Sequence, residues 1–170
     1  MKYKIILLIL FFSLLPSCNE SKSDKIVKRK DQPDIHILKN EDSEMNIAID
    51  AARKTIVEFE KAITSKNPDY YNFALKKRFK IGESGGEHIW ISNIKFQNNK
   101  YYGVVDNLPS STTEVKIGDT IEILTKDITD WLYVDKNTVK GAYTTRVLRK
   151  RITEEERKKM DTESGLIFEE

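Results

Sequence analysis

Between Ser43 and Ser65 the apolar positions Met45, Ile49, Ala52, Ile56, Phe59 and Ile63 recur at alternating spacings of four and three, which predicts one amphipathic helix. Asp42 or Ser43 caps its start. Asn67-Pro68 ends it, because the residue before a proline is pushed out of the helical region. The period then changes to two: Tyr71, Phe73, Leu75, Phe79 and Ile81 alternate with Tyr70, Asn72, Ala74, Lys76, Arg78 and Lys80, predicting a strand with one apolar and one basic face. A glycine-containing turn from Gly82 to Gly86 leads into a strand over Glu87 to Gln97, with His88, Trp90, Ile94 and Phe96 on one face and Ile89 and Ile91 on the other. Asn98-Asn99-Lys100 makes a hairpin into a strand from Tyr101 to Asn107. Further short strands are predicted at Thr120 to Leu124, Asp130 to Asp135 and Thr138 to Gly141. A basic helix then runs from Ala142 to Arg151, and the capping-box pair Thr153 and Glu156 opens a last one to about Met160.

This order of elements predicts an α+β domain: a small, mainly antiparallel sheet of five or six strands, one N-terminal amphipathic helix and one or two short C-terminal helices. The domain is expected over residues 41–165, with a loose tail at 166–170.

The first residues obey a different rule. Lys2 and Lys4 precede an apolar run of eleven residues, Ile5 to Leu15, broken only by Ser13 and followed by Leu15-Pro16-Ser17-Cys18. The run is too short to span the roughly 30 Å bilayer core as a helix, so residues 1–17 are expected to be a signal peptide that is removed. The small residue before the chain's one cysteine resembles the lipobox of bacterial lipoproteins, which implies that Cys18 is acylated and becomes the first mature residue. Residues 18–40 then read as a flexible tether; Lys28-Arg29-Lys30 within it suits either solvent or anionic head groups. Asn19 is not the aspartate that marks inner-membrane retention in enteric bacteria, so a lipid-anchored envelope protein on the outer membrane, facing the periplasm, is the expected address.

Charge alters the picture once the leader is set aside. Of 29 basic residues two, Lys2 and Lys4, fall in the signal, which leaves 27 against 27 acidic ones. A neutral exported chain has no electrostatic footprint for nucleic acid, and that class is excluded.

Five short motifs occur in order: Gly86-Glu87-His88-Ile89-Trp90; Asp106-Asn107 with Pro109; Gly118-Asp119; Asp130-Trp131-Leu132-Tyr133; and Gly141-Ala142-Tyr143-Thr144-Thr145-Arg146-Val147-Leu148-Arg149. Together they resemble the bacterial family named domain of unknown function 2314, the YegJ-like proteins, over roughly Asn67 to Met160. The resemblance implies a small α+β domain, often exported or lipid-anchored. It brings no established activity and no catalytic residues.

Candidate chemistry is sparse. Glu87, His88, Asp106 and Asp130, with Tyr143 or Arg146, are the right types for acid and base work. Adjacent strand residues such as Glu87 and His88 nevertheless point to opposite faces, and Asp106, Asn107 and Asp130 also suit turns at strand ends. With only His36, His88 and the anchor cysteine to draw on, neither a metal site nor a cofactor is expected. Trp90 and Trp131 read as core or as an aromatic platform, and the basic face with Lys76 and Arg78 as solvated or as suited to an anionic ligand such as a glycan acid or a lipid phosphate. The reading favoured is a non-enzymatic envelope lipoprotein that binds a protein or glycan partner, with His88, Trp90, Asp106, Asn107, Asp130, Trp131, Tyr143 and Arg146 as the binding candidates. The alternatives are an envelope-polymer hydrolase using Glu87, His88 and Asp130, and a purely structural envelope protein.

Overall fold

The computed structural model describes residues 25–27, 35–37, 42–83 and 85–169. The signal segment, Cys18 and most of the expected tether lie outside the described residues. Within the tether two short strands, β1 (Lys25–Val27) and β2 (Ile35–Ile37), pair antiparallel with Ile26 opposite His36.

The helical stripe forms two helices rather than one, α1 (Ser43–Lys54) and α2 (Ile56–Thr64), which meet at Thr55. Asp42 caps α1 by accepting from the Met45 N–H. The break has a cause in hydrogen bonding. The Ala52 carbonyl, which a continuous helix would direct at Ile56, accepts from the Trp131 indole N–H at 2.9 Å. The Thr55 hydroxyl folds back onto the Ala51 carbonyl, also at 2.9 Å, a bond that bends helices.

Six antiparallel strands come next: β3 (Tyr70–Ile81), β4 (Gly85–Gln97), β5 (Lys100–Val105), β6 (Thr120–Ile123), β7 (Ile128–Asp135) and β8 (Thr138–Gly141). They lie side by side in the order β6-β5-β4-β3-β7-β8. The β4–β5 hairpin turns through Asn98 and Asn99, whose φ values of 52° and 59° give the left-handed pair that a two-residue loop requires. Directly paired residues share a face, so Leu75, opposite both Ile91 and Trp131, marks the inner one. Phe59 of α2 covers it, with its ring centroid 5.6 Å from Phe73, 6.4 Å from Tyr101 and 6.0 Å from Trp131. Each fully buried ring of this kind contributes about 1.5–3 kcal/mol.

Two bulges revise the facing of the strands. In β4 the register against β5 slips between Ser92 and Lys95, where Asn93 takes φ 51°. Ile94 therefore joins Ile89 and Ile91 in the core, and His88 and Trp90 are left on the outer face. In β3 the register against β7 slips between Tyr71 and Ala74, with Asn72 at φ 53°, and Tyr71 ends 39% exposed.

The C-terminal part closes the fold. Two helices, α3 (Tyr143–Arg151) and α4 (Glu154–Ser164), come after β8, and the Thr153–Glu156 capping box is present. The expected loose tail is docked instead. Ile167 bridges Thr138 in parallel, its N–H and carbonyl bond to Asn137 and Val139, and Leu166 and Phe168 pack on the cluster of Val134, Val139 and Ala142.

Candidate functional site

On the outer face Lys76 stands opposite both Trp90 and Asp130, Arg78 opposite His88, Ser92 opposite Val104, and Val104 opposite Thr120. Near β7 this face is covered by the start of α3. That helix begins after Ala142, held in the left-handed region at φ 55°, and has no side-chain cap of its own. Asp130 supplies one from β7. Its carboxylate accepts from the N–H groups of Trp131 (2.8 Å), Tyr143 (3.1 Å) and Thr144 (2.8 Å) and from the Thr144 hydroxyl (2.5 Å). A negative charge here also meets the positive end of the helix dipole.

The Thr144 hydroxyl gives its one proton to Asp130 and accepts from the Lys76 ammonium at 2.6 Å. That ammonium also lies 4.6 Å from the centre of the Trp90 ring. Lys76 is only 7% exposed, so the basic face of β3 is not solvated throughout: at Lys76 it is roofed by α3 and Trp90. Burial pushes the lysine down from its ordinary pKa and the Asp130 carboxyl up, and each shift is opposed by the charge of the other.

His88 sits one strand away, with Nδ1 3.0 Å from the Thr129 hydroxyl. Thr129 occupies a slip in the β3–β7 register and donates to the Lys76 carbonyl at 3.3 Å. The hydroxyl proton being engaged there, His88 Nδ1 carries the hydrogen and donates, which leaves Nε2 as the acceptor. Burial, and then the positive charges of Lys76, Arg78 and Arg53, lower the His88 pKa to about 4. At neutral pH it is an uncharged acceptor and a weak base. Arg78 is laid across the start of β4, donating to the Gly85 carbonyl at 2.9 Å. A Cβ at Gly86 would fall 2.3 Å from its Nε, so the glycine admits the guanidinium.

Glu87 faces the other way, paired with Phe79 on the inner side. It is 4% exposed and accepts from the N–H groups of Ser110 (2.7 Å), Ser111 (3.0 Å) and Thr112 (2.8 Å) and from the Ser110 hydroxyl (3.0 Å). Burial raises its pKa, the four donors lower it, and the donors win. Glu87 thus clamps the polar loop after β5 to the sheet. Asp106 is exposed and Asn107 half-buried where that loop leaves β5.

The structure does not bring the other candidates to this face. Trp131 is 1% exposed, under Phe59 and Tyr143. The Tyr143 hydroxyl lies 2.9 Å from Thr55 Oγ1. Arg146 fastens the tail, donating to the carbonyls of Gly141 (3.0 Å), Val139 (2.9 Å) and Glu169. Of the predicted residues, then, His88, Trp90 and Asp130 share one neighbourhood, and Glu87 is on the opposite side of the sheet. Lys76, Arg78, Thr129 and Thr144 complete that neighbourhood. The strand period signalled the first two; nothing local signalled the threonines. Among the described residues no group of three His, Cys, Asp or Glu side chains is placed to hold a metal ion. A shallow cavity of about 740 Å³ between α3, α4 and the tail is lined by Arg149, Arg157, Lys158 and Asp161, and Arg149 is already paired with Asp161 at 2.8 Å.

A six-stranded antiparallel sheet, helices over its inner face and a basic outer face around one tryptophan define a small α+β domain. The chain belongs to the family described as an uncharacterized protein conserved in bacteria (DUF2314), whose profile matches residues 42–168. It is similar to a putative ankyrin repeat protein of Neisseria meningitidis serogroup B, at 33% identity over 79% of this chain and 56% of that protein. It is also similar to the uncharacterized protein YegJ of Escherichia coli K12, at 34% identity over 59% of this chain and 63% of the relative. The chain thus spans less than two thirds of the length of either relative. No solved structure matches.

Proposed function

We propose that the protein is a non-enzymatic lipoprotein of the bacterial cell envelope, anchored by acylated Cys18 with the outer membrane preferred, whose domain binds an envelope protein or glycan through the outer sheet face. The address rests on the Lys2–Lys4, Ile5 to Leu15 and Leu15-Pro16-Ser17-Cys18 pattern. The observation that carries the binding role is Trp90, a half-buried tryptophan on the outer face, ringed by polar groups whose positions are already fixed. Preorganised polar groups around an aromatic anchor are what a binding surface needs. Acid–base hydrolysis is less well served. Glu87 has its lone pairs filled from a loop on the far side of the sheet, and Asp130 is 0% exposed and committed to α3.

The test is crosslinking of the full-length protein in living cells. Wild type recovers an envelope partner that Trp90→Ala loses and Lys150→Ala, altered on an exposed turn of α3, retains. Equal recovery by all three, or no partner at all, overturns the reading.

A further inference from the structure

We propose that the outer face around Trp90 is a site for an acidic saccharide, a sugar chain bearing carboxylates, with Trp90 as the stacking platform, Arg78 as the carboxylate partner and His88 Nε2 as an acceptor for a sugar hydroxyl. The inference rests on the partner-binding reading and narrows it to one chemistry.

The charge of the face points to an anion. Its strands carry Lys76, Arg78, Lys80 and Lys95, by the pairings Lys76–Trp90, Arg78–His88, Lys80–Gly86 and Lys95–Tyr102. Of the acids that its strands carry, Asp130 is buried behind Thr144, and Glu122 pairs with Lys100 at 3.1 Å and accepts from the Tyr102 hydroxyl at 3.3 Å; Asp106, just beyond β5, is exposed. A carboxylate arriving here meets an excess of positive charge, to which Arg78, already donating to the Gly85 carbonyl, adds a guanidinium.

Hydrogen bonding separates a sugar from a bare phosphate. The proton on His88 Nδ1 is given to Thr129, so the ring's lone pair is on Nε2. A lone pair repels an anion's oxygens and accepts from a hydroxyl. A ligand that offers hydroxyls beside a carboxylate complements both the His88 lone pair and the positive charge of the face; inorganic phosphate complements the charge alone. The platform fits the same ligand. The buried Lys76 ammonium lies over one face of the half-buried Trp90 ring, which leaves the other face as the platform. His88, Trp90 and Ser92 are successive outer-face residues of β4, so they span roughly 13 Å at the strand rise, about the length of two to three sugar units.

A protein partner fits less well. Trp90 lies on β4, in the middle of the sheet, where no strand edge is open for backbone pairing.

The experiment is a titration of the full chain in detergent micelles, by calorimetry and tryptophan fluorescence, with tetragalacturonate, a hyaluronan tetrasaccharide and soluble peptidoglycan strands. The controls are the methyl ester of the first and inorganic phosphate. At least one acidic saccharide is expected to bind, at least tenfold more weakly as its ester (or, for the other two, at 300 mM than at 50 mM salt), with phosphate failing to displace it. Trp90→Ala and Arg78→Ala should each weaken binding at least tenfold, Trp90→Phe should retain most of it, and circular dichroism should show every variant folded. Absence of binding by all three saccharides, displacement by phosphate, or equal binding by Trp90→Ala overturns the inference. If crosslinking in cells still captures a protein that Trp90→Ala loses, the acidic-saccharide assignment falls and the partner-binding reading stands; if Trp90→Ala loses nothing in either assay, both fall.

Discussion

Replacing Asp130 by asparagine tests whether the buried polar line under α3 is one coupled unit. The wild-type carboxylate accepts four hydrogen bonds, three from backbone N–H groups and one from the Thr144 hydroxyl, and it balances the Lys76 ammonium through that hydroxyl. An asparagine side chain keeps one accepting oxygen. Its amide nitrogen must face donors that have no other acceptor, and the 7%-exposed lysine loses its counter-charge. Breaking a buried pair by removing one partner costs about 3–5 kcal/mol, so Asp130→Asn should destabilise by that amount. Lys76→Met should cost less, about 1–3 kcal/mol, because Asp130 keeps its hydrogen bonds when the ammonium goes. The double variant has neither charge to strand, so its cost should fall short of the sum of the two by about 1.5 kcal/mol or more. Urea unfolding followed by far-ultraviolet circular dichroism at neutral pH measures all four proteins, and an unchanged dependence on urea confirms that the same surface is being exposed. Additivity within about 0.5 kcal/mol would refute the coupling and leave Asp130 as the cap of α3 alone.

Three more outcomes are expected from single side chains. Glu87→Gln should cost about 2–4 kcal/mol, through the loss of charge-assisted bonds, and speed amide hydrogen exchange at Ser111 and Thr112; because the Glu87 pKa is lowered in the fold, the variant should also lose the part of wild-type stability that disappears as pH falls below the ordinary carboxylate value of 4.5, and unchanged exchange would dismiss the loop clamp. Between pH 6.5 and about 4 the unfolded chain takes up a proton at His88 that the folded chain refuses, so stability should drop across that window by roughly 3 kcal/mol relative to His88→Asn, with the difference between the two proteins flat above it. Gly141→Ala, at φ 72° with a Cβ that would run into the Trp131 backbone carbonyl as well as its ring, should destabilise by about 3 kcal/mol or more; a thermal midpoint within a degree of wild type would show that both the β7 backbone and the Trp131 ring have room to shift.

Periodicity carried much of the fold because helix and strand faces are set locally. The α1–α2 stripe, the Asn98-Asn99 hairpin and the Thr153–Glu156 capping box all depend on residues within a few positions of one another. The site was less legible, because its decisive bonds join distant parts of the chain. Lys76 meets Thr144 across 68 residues, and Glu87 meets Ser110 across 23. An alternating pattern assigns Lys76 to a face; it does not reveal that α3 will roof that face. The helix break at Thr55 is of the same kind, since the Ala52 carbonyl is drawn off by a tryptophan 79 residues away.

The bulges show where a local signal was present but ambiguous. Asparagine tolerates the left-handed region better than most residues, and both Asn72 and Asn93 stand inside strands at positive φ. A strict period of two therefore misassigns Ile94, because the extra residue at Asn93 reverses the facing of the rest of β4. The consequence reaches the outer face as well. Had β4 continued without the slip, Lys95 would point inward, where the inner face buries Ile94 at 9% exposure and Val105 at 0%. With it, the core keeps its isoleucine, and Lys95 is turned to the side that holds Trp90 and Ser92. Taking up Asn93 as a bulge thus keeps the isoleucine in the core and the cation on the outer face, and a deletion of Asn93, which turns the bulge into a regular strand, should leave both facings in place; loss of the folded circular dichroism spectrum on deletion would refute this reading of the slip.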